Sequence, residues 1–224
     1  MYCLAHTSIE PQPSRERKME SLPLFIIASA LLIVTPGPDL MYVLTRGISG
    51  GKQSGVVSAI GVTAGILFHT LAATLGLAVL LKTSAIGFLL VKTAGGVYLI
   101  YLGYQMIRNR GSIDLSGVGA RIGTKKCILQ GFLSNVLNPK VALFFVTFLP
   151  QFVSLESNNY SLYMAGLGLL FASMTAVFLM FLGLFAGQIG TWLQQKKRVA
   201  SQINSGAGSA LILLGLFLLK PQQH

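Results

Sequence analysis

Acid is scarce in this sequence: 224 residues carry 6 Asp and Glu beside 17 Lys and Arg. Charged residues are 10% of the chain, against roughly 25% in soluble domains, too few to solvate a globular surface. Cysteine is scarcer still. Cys3 and Cys127 have no CxxC spacing and no His cluster beside them, which leaves a disulfide scaffold, a zinc site or thiol redox chemistry without support. The absence of an HExxH pair or a Ser/His/Asp set at matching depth argues equally against an intramembrane enzyme or redox conduit, and no cofactor is expected. What abounds is apolar: 53% of residues, 25 glycines and a mean hydropathy of +0.68. A net charge of +11 would suggest nucleic acid in a soluble chain. Here the basic residues fall in short segments between apolar runs, where they orient the chain in a membrane, so the nucleic-acid reading is dropped.

Six apolar runs, at about 22–45, 54–81, 84–107, 127–152, 160–186 and 203–219, lie near or above the roughly 20 residues that span a bilayer. They predict an all-α, polytopic membrane protein of six transmembrane helices, with a membrane domain over 19–222. Before it stands a polar extension, 1–18, holding Pro11, Pro13 and Arg15-Glu16-Arg17-Lys18, so that Met19 is an alternative start. Ala28-Ser29-Ala30 resembles a cleavage site, but the apolar stretch before it is short and apolar residues continue to Val34, so cleavage is not expected. Lys and Arg outside the spans concentrate after runs one, three and five: Arg46 and Lys52; Arg108, Arg110, Arg121, Lys125 and Lys126; Lys196, Lys197 and Arg198. The other side has Lys82 and Lys220, with Arg15, Arg17 and Lys18 if the extension is retained. Odd-numbered loops are therefore expected in the cytoplasm and the C-terminus outside. A fully crossing first run puts the N-terminus outside too, and a re-entrant one leaves it inside.

The long loop from Arg108 to Lys126 divides the chain into two halves of three runs, an odd number, so the second half enters the membrane inverted relative to the first. Each half interrupts its opening helix. The first reads Thr35-Pro36-Gly37-Pro38-Asp39 and the second Asn135-Val136-Leu137-Asn138-Pro139-Lys140. Pro36 and Pro38 remove helix donors and bias the residues before them away from αR, so the first helix should stop near Val34 and restart at Pro38 or Asp39. Irregular backbone at membrane depth survives only where protein or a water-filled cavity covers it, and paired interruptions point to a transporter's central site. The restarted helices direct two positive ends toward that cavity.

Three titratable residues lie at depth. Asp39 is the only acid within any apolar run, where an ionised side chain costs at least about 2.5 kcal/mol. Two compatible readings are open for it: capping the restarted helix, or binding a substrate ammonium or a proton. Lys140 lies too deep to reach water by snorkelling and at a helix end that disfavours a cation. It calls for an anion, either Asp39 as a structural pair or a substrate carboxylate. Asn135 and Asn138 add donors and acceptors beside it. His69 is either bonded to a neighbouring helix or part of a proton relay. Lys92 can snorkel and receives no role. Gly61 and Gly65, and Gly183 and Gly187, have the GxxxG spacing of close helix contacts, within the chain or at a homo-oligomer face, and Trp192 suits an interface anchor at the end of the fifth run.

Thr35 to Asp39, Gly96-Val97-Tyr98-Leu99-Ile100-Tyr101-Leu102-Gly103, and Gln130-Gly131-Phe132 through Asn135, Asn138-Pro139-Lys140, Phe144-Phe145 and Phe148-Leu149-Pro150-Gln151-Phe152 resemble, in order and spacing, the lysine exporter family in its homoserine/threonine-resistance branch (LysE/RhtB). The resemblance covers about 19–219, and the 18-residue extension departs from it. It implies a six-span amino-acid exporter of a bacterial inner membrane driven by the proton gradient, with the break motif at Thr35, Pro36, Gly37, Pro38 and Asp39 and the NPK motif at Asn138, Pro139 and Lys140. A competing cargo on the same fold is a divalent cation held by Asp39 and His69, as in related cadmium exporters. It lacks a thiolate or an acidic cluster at depth. The charge asymmetry is tested by labelling: Lys197→Cys is expected to resist an impermeant thiol reagent in intact cells and to react after permeabilisation, and labelling in intact cells would reverse the orientation.

Overall fold

The computed structural model describes residues 16–77, 85–108, 122–153 and 159–219, and these are helices and their short connections, with no strand among them. The first run is two helices, α1 (Glu16–Val34) and α2 (Pro38–Gly50), and the second is α3 (Lys52–Ala72), which continues through a π-helical turn at Ala73–Leu77. The third is α4 (Ala85–Arg108). The fourth is again broken, into α5 (Thr124–Val136) and α6 (Pro139–Leu143), with α6 running on through a π-helical turn, Phe144–Phe148, and a tight turn, Leu149–Phe152. Then come α7 (Tyr160–Leu184), α8 (Ala186–Gln195) and α9 (Lys197–Leu219). The extension up to residue 15, Lys82, most of the loop between the halves (109–121) and Lys220 lie outside the described residues, whereas residues 16–18 form the start of α1.

Lys52–Gly76, Tyr160–Leu184 and Ser201–Leu219 are each long and apolar enough to cross a membrane, and the two broken pairs qualify together, bent by 51° and 49°, which makes three to five candidate crossings among the described residues. Large apolar side chains point outward along them. Leu71, Leu75, Val177 and Leu213 are more than half exposed, a surface that suits lipid and not water.

The breaks fall where proline forces them. α1 stops at Val34, Gly37 is extended, and Pro38 takes the first position of α2, where its missing N–H costs nothing. In the second half Asn138 caps α6 by accepting from the Lys140 backbone N–H at 3.1 Å, with Pro139 at the first position. One expectation needs correction. The loop assigned to Arg46 and Lys52 shrinks to Gly51, whose φ of +80° suits glycine, so Arg46 lies in α2, over the Tyr42 ring and donating to Gln130 Oε1 at 3.4 Å. Trp192, which follows the end of the fifth run, lies in the separate helix α8, set off from α7 by a turn at Phe185.

Glycine lets the helices touch. Gly55 backs onto Gly183 and Gly168 onto Thr70, so α3 and α7 run antiparallel. Gly96 backs onto Gly215 and Gly103 onto Gly208, so α4 and α9 do likewise. Gly61 and Gly65 seat α5 through the Ile128 backbone and the Asn135 side chain, which makes that GxxxG an internal contact, while Gly187 faces open space. These approaches leave no room for a Cβ. Gly103→Val is therefore expected to cost about 1–3 kcal/mol by overpacking, whereas Gly206→Ala, in open space on α9, keeps or raises stability. Thermal unfolding in detergent checks the pair, and a Gly103→Val protein as stable as wild type would remove the close approach.

Candidate functional site

A proline inside a helix removes the N–H that would bond the carbonyl four residues earlier. Pro36 strips Leu32 and Pro139 strips Asn135, both at depths where an unpaired carbonyl costs several kcal/mol. The structure answers each loss with a side chain from another helix. Lys140 Nζ donates to Leu32 O at 3.2 Å and to Thr35 O at 2.9 Å. His69 Nε2 lies 3.2 Å from Asn135 O, and since a carbonyl only accepts, this nitrogen carries the proton. Asn135 O also receives the Asn138 backbone N–H at 2.9 Å.

This pattern revises the expectation for Lys140. At the start of its own α6 a cation is disfavoured, but its ammonium reaches the carboxyl end of α1, where the free carbonyls favour it. No ion pair joins it to Asp39 among the described residues; the two charges act on each other at longer range. Gly37 makes the reach possible, since a Cβ there would meet Lys140 Nζ at 3.0 Å. Thr35 closes α1 by donating its hydroxyl to Leu31 O at 2.6 Å.

Asp39 does not cap α2 with its side chain. Its Oδ2 accepts from Asn135 Nδ2 at 2.8 Å and from Asn138 Nδ2 at 2.9 Å. Asn138 thus spends its oxygen on α6 and its nitrogen on the carboxylate across the break. Oδ1 of Asp39 and Oδ1 of Asn135 are buried acceptors without a donor among the described residues. His69 stacks on Phe145, centroids 5.8 Å apart, which fixes its ring against the Asn135 carbonyl.

Two cavities meet at Lys140. The larger, about 420 Å³, is walled by Pro36, Gly37, Pro38, Asn138, Pro139 and Lys140 at the breaks, by Tyr98, Leu102, Gln105 and Met106 in the C-terminal half of α4, by Asn204 in the N-terminal half of α9 and Leu211 just past its middle, and by Met41. The smaller, about 20 Å³, holds Asp39 and Lys140 among Leu32, Ile66, Phe171 and Thr175. The ten residues singled out in the sequence therefore gather at one place, but Asp39 and Lys140 share only the small cavity, while His69, Asn135 and Thr35 stand behind the walls. Sequence reasoning missed the far wall. Its signal was the spacing of Tyr98, Leu102 and Gln105, which puts them on one helix face.

Beyond the breaks, on the side away from the large cavity, phenylalanines close the way. Phe144 stacks on Phe171 at 4.8 Å and on Phe148 at 5.1 Å, Phe25 meets Phe152 at 5.2 Å, and Phe148 meets Phe217 at 6.3 Å.

If side chains replace the donors the prolines removed, restoring a donor should compensate for losing the side chain. Lys140→Met is expected to destabilise the protein, and Pro36→Ala to recover about 1 kcal/mol of that loss in the double variant while giving no such gain alone. Pro139→Ala should do the same for His69→Leu. Double-mutant cycles on thermal unfolding measure the coupling, and additive effects would remove this account of the breaks.

The profile of the LysE type translocator family matches residues 30–222. An uncharacterised membrane protein of Bacillus subtilis is 34% identical over 149 residues, 62% of this chain and 71% of its own length. A homoserine/homoserine lactone efflux protein of Salmonella typhimurium is 28% identical over 87% of this chain and 93% of its own. A leucine efflux protein of Klebsiella pneumoniae is 27% identical over 84% of this chain and 89% of its own. No solved structure matches. The family match begins five residues before Thr35 and runs through both breaks to the end of α9, so the chain belongs to the LysE type translocator family.

Proposed function

We propose that the protein is a secondary exporter of neutral amino acids across the bacterial inner membrane, coupled to the proton gradient, with Lys140 as the substrate carboxylate site and Asp39 as the proton site. The observation that carries this reading is that, among the described residues, Lys140 is the one charged residue on the wall of the large cavity and also borders the pocket of Asp39. A cation against an otherwise neutral wall suits a carboxylate. No acid among the described residues lines that cavity, so none of them would partner a basic side chain there, whereas Met41, Leu102, Met106 and Leu211 suit an aliphatic one and Gln105 and Asn204 a small polar one. The smaller space holds about one water by volume, too little for an amino acid, which favours a proton over a substrate ammonium at Asp39.

The architecture we propose has six spans, with α4 as the third, in two inverted halves. Two features support it: α4 is 24 residues long, about 36 Å at 1.5 Å per residue, and the glycine contacts pair α3 with α7 and α4 with α9 antiparallel. With odd-numbered loops cytoplasmic, the large cavity lies on the cytoplasmic side, where an exporter loads, and the phenylalanine layer lies on the outer side. Alternating access then rocks one half against the other about the breaks. The divalent-cation cargo gains no support, since the described residues contain no group of three potential metal ligands.

Growth of an overexpressing strain on inhibitory neutral amino acids, followed by efflux measurement on the hits, tests the function. Lys140→Met is expected to lose substrate binding and export together. Asp39→Asn is expected to bind and exchange substrate but to lose accumulation driven by the pH gradient; gradient-driven export at the wild-type rate in Asp39→Asn would remove Asp39 from coupling.

A further inference from the structure

Lys92 does not reach the surface as its position near the start of α4 suggested. It is 8% exposed and makes no hydrogen bond or ion pair with any described residue, an expensive condition for an ammonium at membrane depth. It lies one helical turn before Gly95 and Gly96, which press on Thr147 and on Gly215 and Leu219. Thr147 belongs to the same π-helical turn as Phe144, Phe145 and Phe148. Lys92 is thus level with the phenylalanine layer, about 9 Å along α4 from Tyr98, the nearest residue of that helix on the cavity wall.

The glycine contacts say what this position corresponds to. Gly96 touches Gly215 and Gly103 touches Gly208. A two-fold axis between α4 and α9 reproduces both contacts if it carries Gly96 onto Gly208 and Gly103 onto Gly215, an equal shift along the chain in each case. The same shift carries Lys92 onto Asn204, which lines the large cavity, and Leu99 onto Leu211, which lines it too. When the halves exchange arrangements, the outward cavity should therefore present Lys92 where the inward cavity presents Asn204.

We infer that Lys92 is an exit-side binding site for the carboxylate of the departing amino acid, closed off in this conformation and opened to the outer cavity when the phenylalanine layer parts. This inference rests on the exporter reading. A carboxylate leaving Lys140 would otherwise cross the phenylalanine layer with no countercharge; a second cation level with the layer accepts it there and hands it to the outer solution.

The test measures KM for a transported neutral amino acid from each face, in right-side-out and everted membrane vesicles. Lys92→Gln is expected to raise KM at the outer face at least fivefold and leave KM at the cytoplasmic face within twofold. Lys92→Arg, which keeps the charge, is expected to stay within twofold at both. Unchanged outer KM in Lys92→Gln overturns the site, and so does an equal rise at both faces. A Lys92→Gln protein that fails to accumulate beside a Lys92→Arg protein that does makes Lys92 a folding residue and also overturns it. A wild-type protein that moves no amino acid in either kind of vesicle overturns the exporter reading itself, and that result appears before any variant is compared.

Discussion

Two backbone carbonyls without their helix donors, Leu32 O and Asn135 O, are the constraint from which the centre of this protein follows. In water they would cost little. At membrane depth they must be paired, and proline has removed the N–H four residues on that belonged there, leaving Asn135 O the tight backbone bond from Asn138 and Leu32 O no backbone donor among the described residues. Each is met by a titratable side chain from another element, Lys140 and His69. Holding those side chains in reach dictates the neighbours. Gly37 must lack a side chain beside the Lys140 ammonium, Gly65 must admit Asn135, and Phe145 must stack on His69. The breaks are thus clamps between helices, and their bonds are ones that a rearrangement can exchange for others.

Charge is tolerated here by distribution. The ammonium of Lys140 is spread over two carbonyls at the end of α1, and the carboxylate of Asp39 over two amide groups, so neither depends on direct contact with the other. A direct ion pair would lock the halves together, since breaking it leaves two desolvated charges. Under the exporter reading proposed above, pairing each charge with neutral dipoles is what would let Lys140 take a carboxylate and Asp39 change protonation without stranding its partner. The Oδ1 atoms of Asp39 and Asn135, without a donor among the described residues, mark where that network still has acceptor capacity.

Much of this was legible in the sequence, and the reasons for the gaps are physical. Periodicity is irrelevant in a helix surrounded by lipid, so run length carried the helices; the third and fifth runs match their helices within two residues, while α1 and α9 begin six residues before their runs because polar residues extend the helices beyond the apolar stretch. The breaks were legible almost to the residue because proline and glycine act locally: the stop at Val34 and the restarts at Pro38 and Pro139 need no tertiary information. What proline does next is not local. That the ammonium of Lys140 would travel to the carboxyl end of α1, and not to an anion, depends on how the two broken helices cross. That Lys140 borders both cavities while Asp39 borders only the smaller depends on the same crossing. Lys92 was misjudged because depth along a helix does not say which face a neighbouring helix covers, and α8 escaped notice because its break at Phe185 involves no proline.

The two breaks also explain why the halves differ where they are most alike. Under the inverted-repeat reading, the shift that carries Pro36 onto Pro139 carries Thr35 onto Asn138 and Gly37 onto Lys140. Positions related by a two-fold and close to its axis face each other, and Gly37 and Lys140 do so, with only 3.0 Å between the ammonium and the place a Gly37 Cβ would occupy. The axis has room for one side chain. Lysine at both positions would crowd two ammonium groups together, and glycine at both would leave the Leu32 carbonyl bare, so asymmetry is forced at this pair by packing and electrostatics. Once Lys140 occupies the axis, the charge it brings is best balanced from the other half, and Asp39 stands two residues beyond Gly37, close enough to act on the lysine through the break and far enough to keep its own partners.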